Sequence, residues 1–139
     1  MIDPRRAQLS FGDKLIAEEV DGLCEEWMVH ADEVLADEAI VIAAYKALSK
    51  RHRLSRTRGR RGFSAEVVVR LLILKHARNW SYAVLEREVR ANLIYRKFAR
   101  IGFAKAPDAK TMGRWGVAVG PGVVKEIHER IVSIAKEKG

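Results

Sequence analysis

Ser64-Ala65-Glu66-Val67-Val68-Val69-Arg70-Leu71-Leu72-Ile73-Leu74-Lys75-His76-Ala77-Arg78-Asn79 decides how the rest of the chain is read. From Val67 to Leu74 the side chains are apolar nearly all the way round, interrupted by one arginine. A buried strand and a buried helix both give such a run, so the period alone does not choose between them. The flanks do. Ser64 carries the oxygen an N-cap needs, and Lys75, His76 and Arg78 gather where the negative end of a helix dipole favours cations. The stretch predicts a central helix ending near Asn79.

Downstream, Ser81 caps a further helix with Val84, Leu85 and Val89 inward and Glu86, Arg87, Glu88 and Arg90 outward. Asn92 breaks it, and Leu93 to Ile101 form a short helix stopped by Gly102. Ala106-Pro107-Asp108 reads as a turn whose aspartate caps a helix through Thr111, Met112 and Trp115. Gly116 to Gly122, with Pro121, reads as a second break before a last helix carrying Val124, Ile127, Ile131 and Ile134 on one face. Upstream, Phe11 to Ala36 reads as one helix capped by Asp13. Asp37 caps the next, with Ile40, Ala43, Ala44, Ala47 and Leu48 on one face. No stretch reads convincingly as a strand. The expected fold is all-α, a helical bundle with a helix-turn-helix-like unit in its C-terminal two thirds.

Between these halves, Lys50 to Arg61 carries seven basic side chains and no acidic one. Such a segment stays solvated and seeks a polyanion. It also divides the charge. Up to Leu48 there are eleven Asp and Glu against four Lys and Arg, a net of −7, while the remainder carries a net of +15. Three parts are expected: an acidic helical pair over residues 1–52, a basic arm over 53–62 and a basic helical region over 63–139.

The 139 residues, 48% of them apolar, suit a soluble globular chain with a real core. Cys24 is the only cysteine, which excludes an intrachain disulfide and fits a reducing cytosol. No apolar run approaches the roughly 18 residues of a membrane span, and Met1-Ile2-Asp3-Pro4-Arg5-Arg6 does not open a signal peptide. The expected compartment is the cytoplasm. His30, His52, His76 and His128 are scattered, and Cys24 with His30 matches no finger or knuckle spacing. No Ser or Cys sits in a nucleophile elbow, and no glycine loop is followed by the Lys-Ser/Thr of a phosphate cradle.

What remains is nucleic-acid chemistry. Three consecutive short helices outline a helix-turn-helix, and the helix starting at Asp108 would be its reader. Lys110, Thr111 and Arg114 lie on one exposed arc of it. Lysine and arginine bond guanine edges, and threonine meets a phosphate or a thymine methyl. Arg96, Lys97 and Arg100 form a second cluster; Arg96 and Arg100 face the same way, as a phosphate clamp or as ordinary solvated charges. Tyr82, Tyr95, Trp80 and Trp115 lie where apolar faces need filling, and Trp80 and Trp115 are assigned to the core. Trp27 is assigned to the core or to a contact with another chain.

From Gly59 to about Trp115 the chain resembles the N-terminal domain of bacterial insertion-sequence transposases of the DDE class. Gly62-Phe63-Ser64 followed by Val67 to Leu74 resembles that family's Gly-Arg-Pro-Pro and leucine-rich helix. Asn79-Trp80-Ser81-Tyr82-Ala83-Val84-Leu85-Glu86 resembles its Leu-Ser-Asp-Arg-Glu-Leu-Glu box. Leu93-Ile94-Tyr95-Arg96-Lys97-Phe98 and Ile101-Gly102 resemble its Arg-Arg-Phe helix and Leu-Gly-Leu. Pro107-Asp108-Ala109-Lys110-Thr111-Met112-Gly113-Arg114-Trp115 resembles its Pro-Asp-His-Ser-Thr-Leu-Ser-Arg-Phe-Arg segment. Ala109 stands where the family has histidine, Gly116 where it has the closing arginine, and Phe63 where it often has proline.

The resemblance implies sequence-specific binding of double-stranded DNA at transposon terminal repeats. Lys110, Thr111 and Arg114 would read the groove, Arg56, Arg58, Arg60 and Arg61 would grip phosphates or a minor groove, and Arg96, Lys97 and Arg100 would assist. Catalysis in the family rests on two Asp and one Glu holding divalent metal in a ribonuclease-H-like domain that follows the helical one. No catalytic residue, metal ligand or cofactor is therefore expected in this chain, and no membrane partner. Homo-oligomerisation through the acidic helices stays open. So do two rival functions: a truncated transposase that inhibits the intact enzyme by helix pairing, and a small helix-turn-helix transcriptional regulator.

Overall fold

The computed structural model describes residues 11–51 and 63–138. Eight helices run through them, with no strand among the described residues: α1 Phe11–Glu19, α2 Glu26–Leu35, α3 Glu38–Arg51, α4 Ala65–Arg78, α5 Tyr82–Ala91, α6 Leu93–Ala99, α7 Ala109–Val119 and α8 Pro121–Lys138. Every side chain from Ala65 to Leu74 is buried, so α4 is the central post that the apolar run predicted. Around it pack α3, α5, α6, α7 and α8, while α2 lies mainly along α8. Leu71, Ile73 and Leu74 share one core with Met28, Leu35, Leu48, Leu85, Met112 and Ile131. Each such side chain contributes about 2 kcal/mol by leaving water. No helix among the described residues is long and apolar enough to cross a membrane.

The predicted caps are in place. Ser64 Oγ accepts from Val67 N at 3.3 Å, Ser81 Oγ from Val84 N at 3.2 Å, and Asp37 Oδ1 from Ala39 N at 2.9 Å. Asn79 ends α4 in the left-handed conformation, φ 55°. Two expectations fail at glycines. Phe11 to Ala36 is not one helix: Gly22, at φ 80°, turns the chain out of α1 before α2 begins, and Asp13 falls inside α1. Conversely, Gly116 does not break α7, which continues to Val119; Gly120, at φ 95°, makes the break, and Pro121 opens α8. The helix after Asn92 also stops earlier than expected, with Arg100 itself left-handed at its end.

Gly116 lies within α7, and a neighbouring side chain occupies the space that its own would need. A Cβ there would collide with the Tyr82 hydroxyl and lie 3.2 Å from its Cζ. Tyr82, on α5, is wedged against α7, with the Lys75 ammonium 4.5 Å from its ring centre. This contact lets α5 and α7 approach closely.

Two charged side chains of α4, Glu66 and Arg70, lie inside the core. Arg70 is 2% exposed and projects from α4 between two other helices. Its NH1 donates to Asp32 Oδ1 of α2 at 2.6 Å and to the Phe98 carbonyl of α6 at 3.1 Å, and its Nε reaches Glu66 Oε2 at 3.5 Å. The guanidinium stands 5.2 Å from the Phe98 ring centre. Burial pulls its pKa below the ordinary arginine value and nearby Arg100 adds to this, while Asp32 and Glu66 oppose it. A buried guanidinium without such partners would not be tolerated.

Two stability outcomes follow from these contacts. Arg70→Ala should cost about 3 kcal/mol in urea unfolding, because buried Glu66 keeps its Arg100 contact but loses its pairing with Arg70, and Asp32 loses its bond too. Arg70→Met combined with Glu66→Leu should cost less than that single change. Gly116→Ala should destabilise, although alanine gains about 1 kcal/mol over glycine in an open helix. The penalty should shrink in a Tyr82→Phe background, and an unchanged penalty would mean that the ring does not set it.

Candidate nucleic-acid interface

Helix α7 has a locked face and an open one. Met112, Trp115 and Val119 recur at helical spacing and are buried. On the other side Lys110, Arg114 and Val117 follow at i, i+4 and i+7, all exposed. Thr111 is half-buried beside them. Neither the Lys110 ammonium nor the Arg114 guanidinium makes a hydrogen bond or ion pair among the described residues. The three residues read from sequence thus adjoin one another on the first turns of the helix. Val117, 65% exposed, was missed because it reads as an ordinary apolar helix position.

Carboxylates hold the start of this helix. Asp108 Oδ1 accepts from Thr111 N at 2.7 Å, as expected of the cap. Glu86 of α5, read from sequence only as outward-facing, accepts from Ala109 N at 2.7 Å. The hydrogen bonds to Thr111 hold the Asp108 carboxyl below its usual 3.8, and Arg114 and Lys105 nearby add to this. Negative charge at a helix N-terminus is favourable. Here the protein supplies that charge itself, through Asp108 and Glu86. Arg87 and Arg90 of α5, both exposed, flank the same corner beside Ala109.

The second cluster lies at the end of α6. Arg96 NH1 donates to the carbonyls of Gly102 and Ala104, each at 2.9 Å, and its NH2 reaches the Arg90 carbonyl at 3.5 Å. It therefore ties the end of α5 to the loop that leads to α7. Arg100 pairs with Glu66 at 3.6 Å while its side chain stays 44% exposed. The Lys97 ammonium, on a half-buried residue, has no hydrogen-bond or ion-pair partner among the described residues. Arg96, Lys97 and Arg100 all line one cavity of about 200 Å³, together with Arg70. Ile16, Met28, Val29 and Phe98 form its apolar walls, and Cys24, Asp32 and Gly102 complete it. Nothing in the sequence reveals this cavity, because it joins residues more than seventy positions apart.

Arg56, Arg58, Arg60 and Arg61 lie outside the described residues. Trp115 is buried, whereas Trp80 and Trp27 are half-buried, Trp80 edge-on to Tyr95 at 5.2 Å and Trp27 edge-on to Phe98 at 5.0 Å. Two of the scattered histidines meet: His76 of α4 and His128 of α8 stand 4.7 Å apart. Burial, and then the neighbouring imidazole, hold His128 below its usual 6.5. Among the described residues no group of three or more His, Cys, Asp or Glu is placed to hold a metal.

Asp108 sets a pH dependence. Its folded pKa is depressed, so its stabilisation is complete above the unfolded value of 3.8 and is lost as pH falls through the folded one. Amide exchange at Thr111 should therefore speed up on acidification below pH 4, relative to amides deep in α4. In Asp108→Ala that exchange should be fast at neutral pH already and should lose the acid step.

Comparison with known proteins gives one family. The model of a transposase domain family, DUF772, matches residues 26–116. That span runs from the start of α2 through most of α7 and includes both cationic clusters. No curated protein and no solved structure matches the chain. With the family model covering well over half of its length, the chain belongs to the DUF772 transposase domain family.

Proposed function

We propose that this chain is a DNA-binding domain of a transposase, one that recognises the terminal repeats of its mobile element. The observation that carries this reading is the α7 stripe. Lys110 and Arg114 project side by side, unpaired among the described residues, from a helix whose opposite face is fixed in the core. A rigid helix presenting two free cations and a methyl-bearing side chain suits a major groove, where cations bond guanine and apolar groups meet thymine methyls. The net +15 after Leu48 supplies the sequence-independent attraction. In this reading the arm at Arg56, Arg58, Arg60 and Arg61 grips phosphates or a minor groove, and Lys97 and Arg100 add backbone contacts. The chain contributes grip and sequence choice, and the cutting carboxylates belong to a separate ribonuclease-H-like domain of the parent enzyme.

Exposed apolar side chains favour a second reading, in which the chain pairs with another copy. Leu15 and Phe103 lie exposed beside Leu93, across one groove between α1 and the start of α6. Light scattering with and without terminal-repeat DNA separates the readings. A dimer that forms without DNA and binds none would favour the pairing role.

For DNA binding, Arg114→Ala should lose about 1–3 kcal/mol on the cognate duplex and far less on a random one. Equal losses on both would make Arg114 a phosphate contact. Replacing Arg58, Arg60 and Arg61 by Ala should flatten the slope of log K against log salt by about 0.9 for each phosphate no longer neutralised. An unchanged slope would remove the arm from the interface.

A further inference from the structure

The cavity beside α6 has the chemistry of a binding site that the duplex-reading stripe on α7 does not use. Its walls are apolar, yet four cationic side chains line it against the single carboxylate of Asp32. Asp32 is already bonded to Arg70, Arg96 is committed to backbone carbonyls, and Arg100 pairs with Glu66 while its side chain stays 44% exposed. Lys97 is different. This half-buried residue lines the space, and its ammonium has no hydrogen-bond or ion-pair partner among the described residues, so it is available to an anion that enters. Cys24, Val29 and Arg100 are exposed, so they mark the mouth.

The size is also informative. A cavity of roughly 150 Å³ already accommodates a benzene ring, so this one, at about 200 Å³, has room for a planar heterocycle. A ligand that matches both halves carries a flat, mostly apolar body and one anionic group. A nucleotide has that form. We propose that this cavity takes a single unstacked nucleotide, its phosphate on Lys97 and Arg100 and its base between Met28, Val29 and Phe98. The proposal rests on the DNA-binding reading for the source of that nucleotide. Unstacking costs a few kcal/mol in a paired duplex and least in a single-stranded or mismatched one, so a frayed or overhanging end is the favoured donor.

Cys24, the only cysteine of the chain, lines the cavity and is exposed, and it provides the readout. The full chain is alkylated with neutral iodoacetamide in the presence of dAMP, deoxyadenosine, inorganic phosphate, a blunt duplex, or the same duplex with a three-nucleotide overhang. Duplex binding is followed separately by fluorescence anisotropy. The overhang duplex should slow alkylation at least fivefold and the blunt duplex much less. Millimolar dAMP should also protect, and deoxyadenosine or phosphate alone should not.

Lys97→Ala should abolish this protection and Lys97→Arg should keep it. Val29→Trp, which plugs the mouth without removing charge, should abolish it as well. If the overhang duplex binds by anisotropy while Cys24 reacts as fast as in the free chain, the cavity proposal fails and the DNA-binding reading stands. Protection by dAMP without any duplex binding would overturn the DNA source and leave a site for free mononucleotides. Protection that survives both Lys97→Ala and Val29→Trp would place the ligand elsewhere.

Discussion

A guanidinium in the middle of an apolar helix organises this domain. Arg70 must be partnered because it is buried, and its partners come from three different helices: Asp32 on α2, Glu66 on its own α4 and the Phe98 carbonyl at the end of α6. Apolar packing would tolerate small slips of α2 or α6 along α4. Directional bonds to a fixed fork do not. The end of α6 is thereby tied to α4, where its cations meet the turn after α1 around one cavity. Glu66 extends the same set of bonds outward to Arg100, so the buried charge is electrically continuous with the basic surface.

Much of the fold was legible because helix ends are local chemistry. Ser64, Ser81, Asp37 and Asp108 each bond an amide two or three residues on, and a reader of the sequence needs only those few residues to see it. The glycines were less readable. Gly22 ends a helix at positive φ and Gly116 does not, yet both sit in helical periodicity; what calls for a glycine at 116 is Tyr82, thirty-four positions away, which fills the space beside it. The candidate site divides in the same way. Lys110, Thr111 and Arg114 could be placed on one arc from spacing alone. The bonds of Arg96 to loop carbonyls, the hold of Glu86 on α7 and the cavity all depend on tertiary contacts that no local pattern encodes.

The electrostatics of α7 bear on how it would meet DNA. Helix N-termini commonly receive phosphates, but here two carboxylates occupy that position. In the proposed DNA-binding role, contact with a polyanion would fall to side chains farther along the helix and to the arginines of α5 beside it. Carboxylates at the helix start also repel a backbone that approaches end-on, which favours a docking in which the helix lies along a groove. Membership of a transposase domain family gives that arrangement a biological setting.

The Tyr82–Gly116 contact constrains how this sequence can change. Here a ring and a bare backbone share one seam between α5 and α7, and the two helices are joined there by shape. A side chain at position 116 has no room while the ring remains. Relatives of this chain should therefore vary at these two positions in concert, a larger side chain at 116 arriving only with a smaller one at 82.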